Sequence, residues 1–294
     1  MYIDGVFSGG GIKGFALIGA YQAIEERGYI FQRLAGTSAG SLIAALIAAG
    51  YTSSEIIKFM DELEVSDLLD PRRTILPTPL AKWLMVYWRL GLYKGDALEK
   101  WITTKLAQKG VYTFKDLPPN SLRIIASDLT NGKILVLPND LERYGIIPES
   151  FSVAKAVRMS CSLPYFFEPV RLKDHNGNNV IVDGGVLSNF PIWLFDEEQT
   201  LKKRPVLGIK LSADSQNQKK NKINNAIDLF GALFETMKNA HDARYISRRH
   251  ERNIIFIPME AGLTTDFGLT DEKKLALTKI GKERAEHFFR TWCY

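Results

Sequence analysis

A serine with glycine two residues away on either side occurs at Gly36-Thr37-Ser38-Ala39-Gly40, a spacing suited to nucleophilic attack. Where a strand turns sharply into a helix, such a serine presents its hydroxyl at the helix N-terminus. Small neighbours are needed because strand and helix pass closely, and the helix end offers N–H groups to a developing oxyanion. The chemistry would be acyl transfer to Ser38, given a base within reach.

Two further strings could complete that machinery. Gly9-Gly10-Gly11-Ile12-Lys13-Gly14 fits the pattern Gly-x-Gly-x-x-Gly. A dinucleotide site of this kind requires an acidic residue about 20 positions on, at the end of the next strand. Gly36-Thr37-Ser38 stands at that strand end instead. This favours the other reading, in which the Gly10 and Gly11 amides point at a substrate oxyanion, and leaves nucleotide binding as the alternative. Asp183-Gly184-Gly185 follows the apolar run Val180-Ile181-Val182. An isolated Asp-Gly is usually a turn carboxylate, but beside a nucleophile elbow it is a candidate general base. An ordinary carboxyl, with a pKa near ~3.9, is a poor base for a hydroxyl, so Asp183 must be desolvated or aimed at Ser38. A Ser-His-Asp triad would have to draw on His175, His241, His250 or His287, and none lies in a supporting motif. His175, eight residues before Asp183, is the only contender. Neither metal nor organic cofactor is required.

These residues need elements to position them. Met1–Phe7 reads as a strand and Gly14–Arg27 as a helix stopped by Gly28; Phe31–Ala35 and the alanine-rich Ser41–Ala49 repeat the unit. Strand-turn-helix repetition argues for a parallel sheet covered by helices. Thr52-Ser53-Ser54-Glu55 is a capping box opening another helix, and Gly95–Gln108 continues the pattern. Asn131-Gly132 between Leu122–Ser127 and Lys133–Leu137, and His175–Asn178 between Glu168–Leu172 and Val180–Asp183, signal antiparallel hairpins, so the sheet is mixed. Val206–Leu211 and Ile254–Pro258 read as further strands. Between them Ile223, Ile227, Phe230, Phe234, Met237 and Ala240 recur at helical spacing, a pattern assigned to core packing. No domain boundary stands out: residues 1–294 read as one domain with an aromatic-rich insertion around 75–93 and a helical part over 222–294.

Bulk properties set limits. The 38 Lys+Arg and 33 Asp+Glu leave a charge of +5, with short basic clusters at Lys202–Arg204, Lys219-Lys220 and Arg248-Arg249. Such short, scattered runs read as solvated surface rather than as a nucleic-acid site. Cys161 and Cys293 lack metal-ligand spacing and suit a reducing interior. The N-terminus shows no cleavable leader, and Leu80–Leu92 is shorter than the ~20 residues a membrane span takes. The expected location is cytoplasmic, with peripheral contact at a membrane.

The three strings, in this order, resemble the patatin-like phospholipase family. Further matches are Gly91-Leu92-Tyr93-Lys94-Gly95, Ser127-Asp128-Leu129-Thr130-Asn131-Gly132 and Ser162-Leu163-Pro164-Tyr165-Phe166-Phe167. The resemblance covers residue 5 to about 195 and implies a three-layer α/β sandwich whose central, mostly parallel, mixed sheet is flanked by helices. It implies a Ser38–Asp183 dyad, with Gly9, Gly10, Gly11, Lys13 and Gly14 forming the oxyanion loop, Gly36, Thr37, Ala39 and Gly40 the elbow, and Gly184 and Gly185 completing the acid motif. The activity implied is hydrolysis of lipid acyl esters, whether phospholipid, lysophospholipid or acylglycerol, through an acyl-serine, with thioester hydrolysis and acyl transfer as variants. Trp83, Tyr87, Trp88 and Tyr93 lie among leucines in the insertion. Core packing is expected for most of them, while a lipase-like reading makes part of the segment a lid or acyl-chain groove touching membrane.

Overall fold

The computed structural model describes residues 1–71, 86–175, 177–196, 204–213, 223, 226–246, 248–259 and 270–292. The chain runs β1 (Tyr2–Phe7), α1 (Phe15–Glu26), β2 (Ile30–Thr37), α2 (Ala39–Ala48), α3 (Ser53–Asp61), β3 (Gly91–Tyr93), α4 (Asp96–Gln108), β4 (Leu122–Asp128) and β5 (Lys133–Leu137). Then follow α5 (Val153–Ser160), β6 (Tyr165–Phe167), β7 (Val170–Asp174), β8 (Gly177–Asp183), β9 (Val206–Ala213), α6 (Ala226–Tyr245), β10 (Ile254–Met259) and α7 (Asp271–Phe288). The capping box opens α3 as expected: Thr52 Oγ1 accepts from the Glu55 amide at 3.3 Å, and the Glu55 carboxylate accepts from the Thr52 amide at 2.8 Å.

Eight strands form one sheet in the order β10-β9-β1-β2-β4-β8-β7, with β5 also on β4. Neighbours from β10 to β4 are parallel, whereas β5, β8 and β7 run antiparallel to their partners. The mixed, mostly parallel sheet read from the sequence is the one observed, flanked by helices. Alternation along β1 sends Ile3 and Phe7 into the larger core, with α1 and α2. Val6 joins Phe190, Ile192, Phe195 and Ile254 on the opposite face. Helix α1 is buried nearly all round because α7 crosses it at backbone distance. A Cβ on Gly19 would stand 1.8 Å from the Thr278 carbonyl oxygen, and one on Gly281 would stand 1.8 Å from that of Ala16.

The register around β4 positions the site. Strand β5 pairs with Ile124–Asp128 along one edge. Strand β2 pairs with Leu122–Ile125 and β8 with Ala126–Asp128, so both must share the other edge. Running in opposite directions, they meet end to end: Thr37 lies opposite Ile125 and Asp183 opposite Ala126. The residue after Thr37 is Ser38.

Three expectations are corrected or cut short. The apolar row of α6 is not uniformly core: Ile223 just before it is 51% exposed and Met237 48%. The insertion aromatics divide, since Tyr93 packs into the core while Tyr87 and Trp88, on a single helical turn at 86–89, are 70% and 72% exposed. Trp83, most of 75–93, and the basic residues Lys202, Lys203, Lys219 and Lys220 lie outside the described residues.

Candidate active site

Ser38 occupies the turn between β2 and α2 with φ 52° and ψ −128°. A non-glycine residue in this region is strained and must be held by its surroundings. Close packing supplies the hold, because a Cβ on Gly40 would lie 2.4 Å from the Phe7 carbonyl oxygen, and one on Gly36 would lie 2.4 Å from that of Gly40. No side chain fits at either position, which explains the glycine spacing around the serine.

A hydroxyl completes the exit from the sheet. The Ser38 amide donates to Ser160 Oγ at 2.8 Å, and Ser160 Oγ donates to the Ile125 carbonyl at 2.5 Å. Ser160 thus stands where the next rung of the β2–β4 ladder would be, and the chain can turn away without orphaning either group. Two residues on, the Ser162 carbonyl accepts from the Asp183 amide at 2.9 Å. The buried Arg158 guanidinium donates to Ser162 Oγ and to the carbonyls of Lys94, Gly95 and Glu168. The segment Arg158–Ser162 therefore fixes the backbones of Ser38 and Asp183 together. Arg158 and Ser160 stand in none of the motifs read from the sequence; the alternation Ser160-Cys161-Ser162 at the end of a short helix was the available signal.

The carboxylate of Asp183, 3% exposed, accepts from the Gly185 amide at 2.7 Å and lines one cavity with Ser38. Burial pushes its pKa up to about 6, against the opposing pull of the neighbouring Ser38 hydroxyl, the Gly185 amide and the positive charge of Lys238. At neutral pH it remains ionised yet is far more basic than a solvated aspartate. Cys161 projects beside the pair, its thiol pushed up to about 12, first by burial and then by the charge of Asp183. It is a protonated neighbour rather than a nucleophile.

Not every amide of the glycine loop is available. That of Gly9 donates to the Asn189 carbonyl at 3.1 Å, and that of Lys13 to the Gly10 carbonyl at 3.2 Å. Among the described residues none accepts from the amides of Gly10 or Gly11, and both residues line the same cavity as Ser38 and Asp183. Gly14 has a packing role, since a Cβ there would lie 3.0 Å from that of Ala39. Thr37 is tied to the segment after Asp183, its hydroxyl donating to the Ser188 carbonyl at 3.0 Å, and a Cβ on Gly184 would collide with the Ile125 carbonyl at 2.2 Å.

The cavity holds about 140 Å³. Ser38, Asp183, Asn189 and Lys238 supply its polar groups, and the remaining wall is largely apolar, drawn from α1 to α4 and from Leu163, Phe166 and Phe167. No histidine lines it. His175 sits in the β7–β8 turn against Gly145, and His250 pairs with Asp196 at 2.7 Å. Among the described residues no cluster of three His, Cys, Asp or Glu could hold a metal ion.

Comparison with known proteins places this geometry in a family. The model of patatin-like phospholipases matches residues 5–196. The chain is 58% identical to the uncharacterized protein YqhO of Bacillus subtilis over the full length of both. It is 25% identical to a protein of Invertebrate iridescent virus 6 named "Probable lipid hydrolase 463L", over 95% of this chain and 86% of that one. In fold it is similar to VipD of Legionella pneumophila, with a TM-score of 0.59 and 19% identity over 99% of this chain and 67% of the other. The matched span takes in the glycine loop, the elbow and the Asp-Gly-Gly turn that meets it along one edge of β4, and the chain belongs to the patatin-like phospholipase family.

Proposed function

We propose that Ser38 and Asp183 form a catalytic dyad that cleaves an acyl ester of a phospholipid, lysophospholipid or acylglycerol. Family membership makes the chain a hydrolase of lipid esters in general terms; the dyad and the choice of ester are our reading. The observation that carries it is the end-to-end meeting of β2 and β8 on β4, which brings Ser38 and the buried carboxylate of Asp183, its pKa raised, to one cavity. In the first half-reaction Asp183 accepts the Ser38 proton as Oγ attacks the ester carbonyl. The oxyanion accepts hydrogen bonds from the amides of Gly10 and Gly11, residues that line the cavity and whose amides have no acceptor among the described residues. The protonated Asp183 then gives its proton to the departing alcohol. In the second half-reaction it takes a proton from water, the hydroxide so formed attacks the acyl carbon, and Asp183 returns the proton to Ser38 Oγ as the acid leaves. The apolar wall suits an acyl chain.

A fluorophosphonate should form an adduct on Ser38, detected by mass spectrometry of the labelled peptide. Ser38→Ala should abolish both the adduct and hydrolysis. Asp183→Asn should lower kcat by roughly 10²- to 10⁴-fold, the range of a lost general base, and His175→Ala should retain most activity. A loss in His175→Ala comparable to that in Ser38→Ala would overturn the dyad.

We further propose peripheral contact with a lipid surface. Leu229, Leu233 and Met237 form an exposed row on α6, the helix that also sends Phe234 and Lys238 into the cavity wall. Among the described residues no helix is long and apolar enough to cross a membrane.

A further inference from the structure

Lys238 lines the cavity beside Asp183, yet takes no part in the dyad chemistry. Helix α6 holds it there through the turns on either side. One turn before, Phe234 packs where a Cβ on Gly185 would lie 3.3 Å from its ring. One turn after, the buried Asp242 accepts from the Phe190 amide at 3.1 Å and pairs with Lys210 of β9. Residues 234, 238 and 242 share one helix face, so a helix pinned at both ends of that row must turn Lys238 toward the site.

Its ammonium has charged neighbours but no close partner. Among the described residues it makes no hydrogen bond or ion pair. The acids around it are Glu235, one turn back on the same helix, Asp242, which is paired with Lys210, and Asp183, which accepts from the Gly185 amide. Burial lowers the ammonium's own pKa; Glu235 and Asp242 oppose the shift, and the positive charges of Lys210 and Lys13 add to it. An anion entering the cavity would relieve both the burial and the repulsion.

We propose that Lys238 is the anion-recognition residue of this cavity, binding the phosphate of a glycerophospholipid or lysophospholipid whose ester carbonyl lies at Ser38. This rests on the acyl-hydrolase reading and sharpens it: phosphate-bearing esters are preferred over neutral acylglycerols. The apolar wall takes the acyl chain, Gly10 and Gly11 the carbonyl oxygen, and α6 the head group.

The test compares 1-palmitoyl-lysophosphatidate with 1-palmitoylglycerol in the same mixed micelles. In Lys238→Met the ratio of kcat/KM, phosphate ester over neutral ester, should fall at least tenfold, and Lys238→Arg should restore most of it. An unchanged ratio, whether both rates fall together or neither does, would overturn the proposal. A joint fall with the acid limb of the pH profile displaced upward would assign Lys238 to the electrostatics of Asp183 instead. A second arm is independent of hydrolysis. Calorimetry on Ser38→Ala should detect glycerol 3-phosphate binding that is lost on adding Lys238→Met. Absence of binding overturns the subsite, and inorganic phosphate binding as tightly would mark a free-phosphate site and overturn the head-group assignment. A protein that binds glycerol 3-phosphate through Lys238 but cleaves neither ester would keep the subsite and defeat the hydrolase reading.

Discussion

Burial of the Asp183 carboxylate bears on both rate and stability. In the proposed dyad Asp183 must be ionised to accept the Ser38 proton, so kcat/KM should fall tenfold per pH unit below about pH 6, the value to which burial pushes it. In the unfolded chain the same group titrates near ~3.9. Between those values the folded protein holds a proton that the unfolded chain has released, so stability declines as pH rises through the window. Asp183→Asn should therefore raise Tm at pH 8 and lose that advantage near pH 4, measured by calorimetry at both pH values; a Tm at pH 8 equal to or below the parent's would refute it. The motif residues were legible in the sequence because each string is local. Which loop amides are available was not, because the Gly9 amide is spent on Asn189, 180 positions away. Ser160 was hidden for the same reason: it meets Ser38 across 122 residues.

Elements with strong local signals were readable, and those that exist only through a partner were not. Helices α1 to α4 and the Asn131-Gly132 hairpin follow from periodicity, caps and a turn pair. Strands β3 and β6 have three residues each and pair with one another in a separate two-stranded sheet, Gly91 opposite Tyr165. The Arg158 guanidinium binds the carbonyls at their ends, from Lys94, Gly95 and Glu168, and sits over the Phe167 ring at 5.2 Å. A similar non-local constraint governs the crossing of α1 and α7. At an exposed helical glycine, replacement by alanine would stabilise by about 1 kcal/mol through propensity. At Gly281 the sign should reverse, because the new methyl would stand 1.8 Å from the Ala16 carbonyl oxygen and force the helices apart. We expect Gly281→Ala to lose about 1–3 kcal/mol, read as a lower denaturant midpoint at unchanged m; an unchanged or raised midpoint would refute the close crossing.

On the scale of the whole molecule, the exposed row of α6 ties the cavity to the surroundings. Leu233, 54% exposed, lies about 100° around the helix from Phe234, which lines the cavity. The apolar row thus flanks the helix face that lines the cavity, and the proposed lipid contact would be made there. Hydrolysis of a short-chain ester should rise as its concentration crosses the micellar threshold, and the double variant Leu229→Ser, Leu233→Ser should reduce that rise and weaken cosedimentation with vesicles. Equal rates on monomers and aggregates would count against interfacial contact. The sequence supplied the helical spacing of α6 but assigned it to the interior, because periodicity reports that a face is apolar, not what covers it. The end-to-end meeting of β2 and β8 on β4 has a consequence in time. Nucleophile and proposed base are joined only when a strand made 145 residues after Ser38 closes the gap, roughly 7 to 30 s later at ordinary synthesis rates. If the proposed dyad is the catalyst, the growing polypeptide until then carries a serine with no proton acceptor and cannot cleave a lipid ester while it is being made.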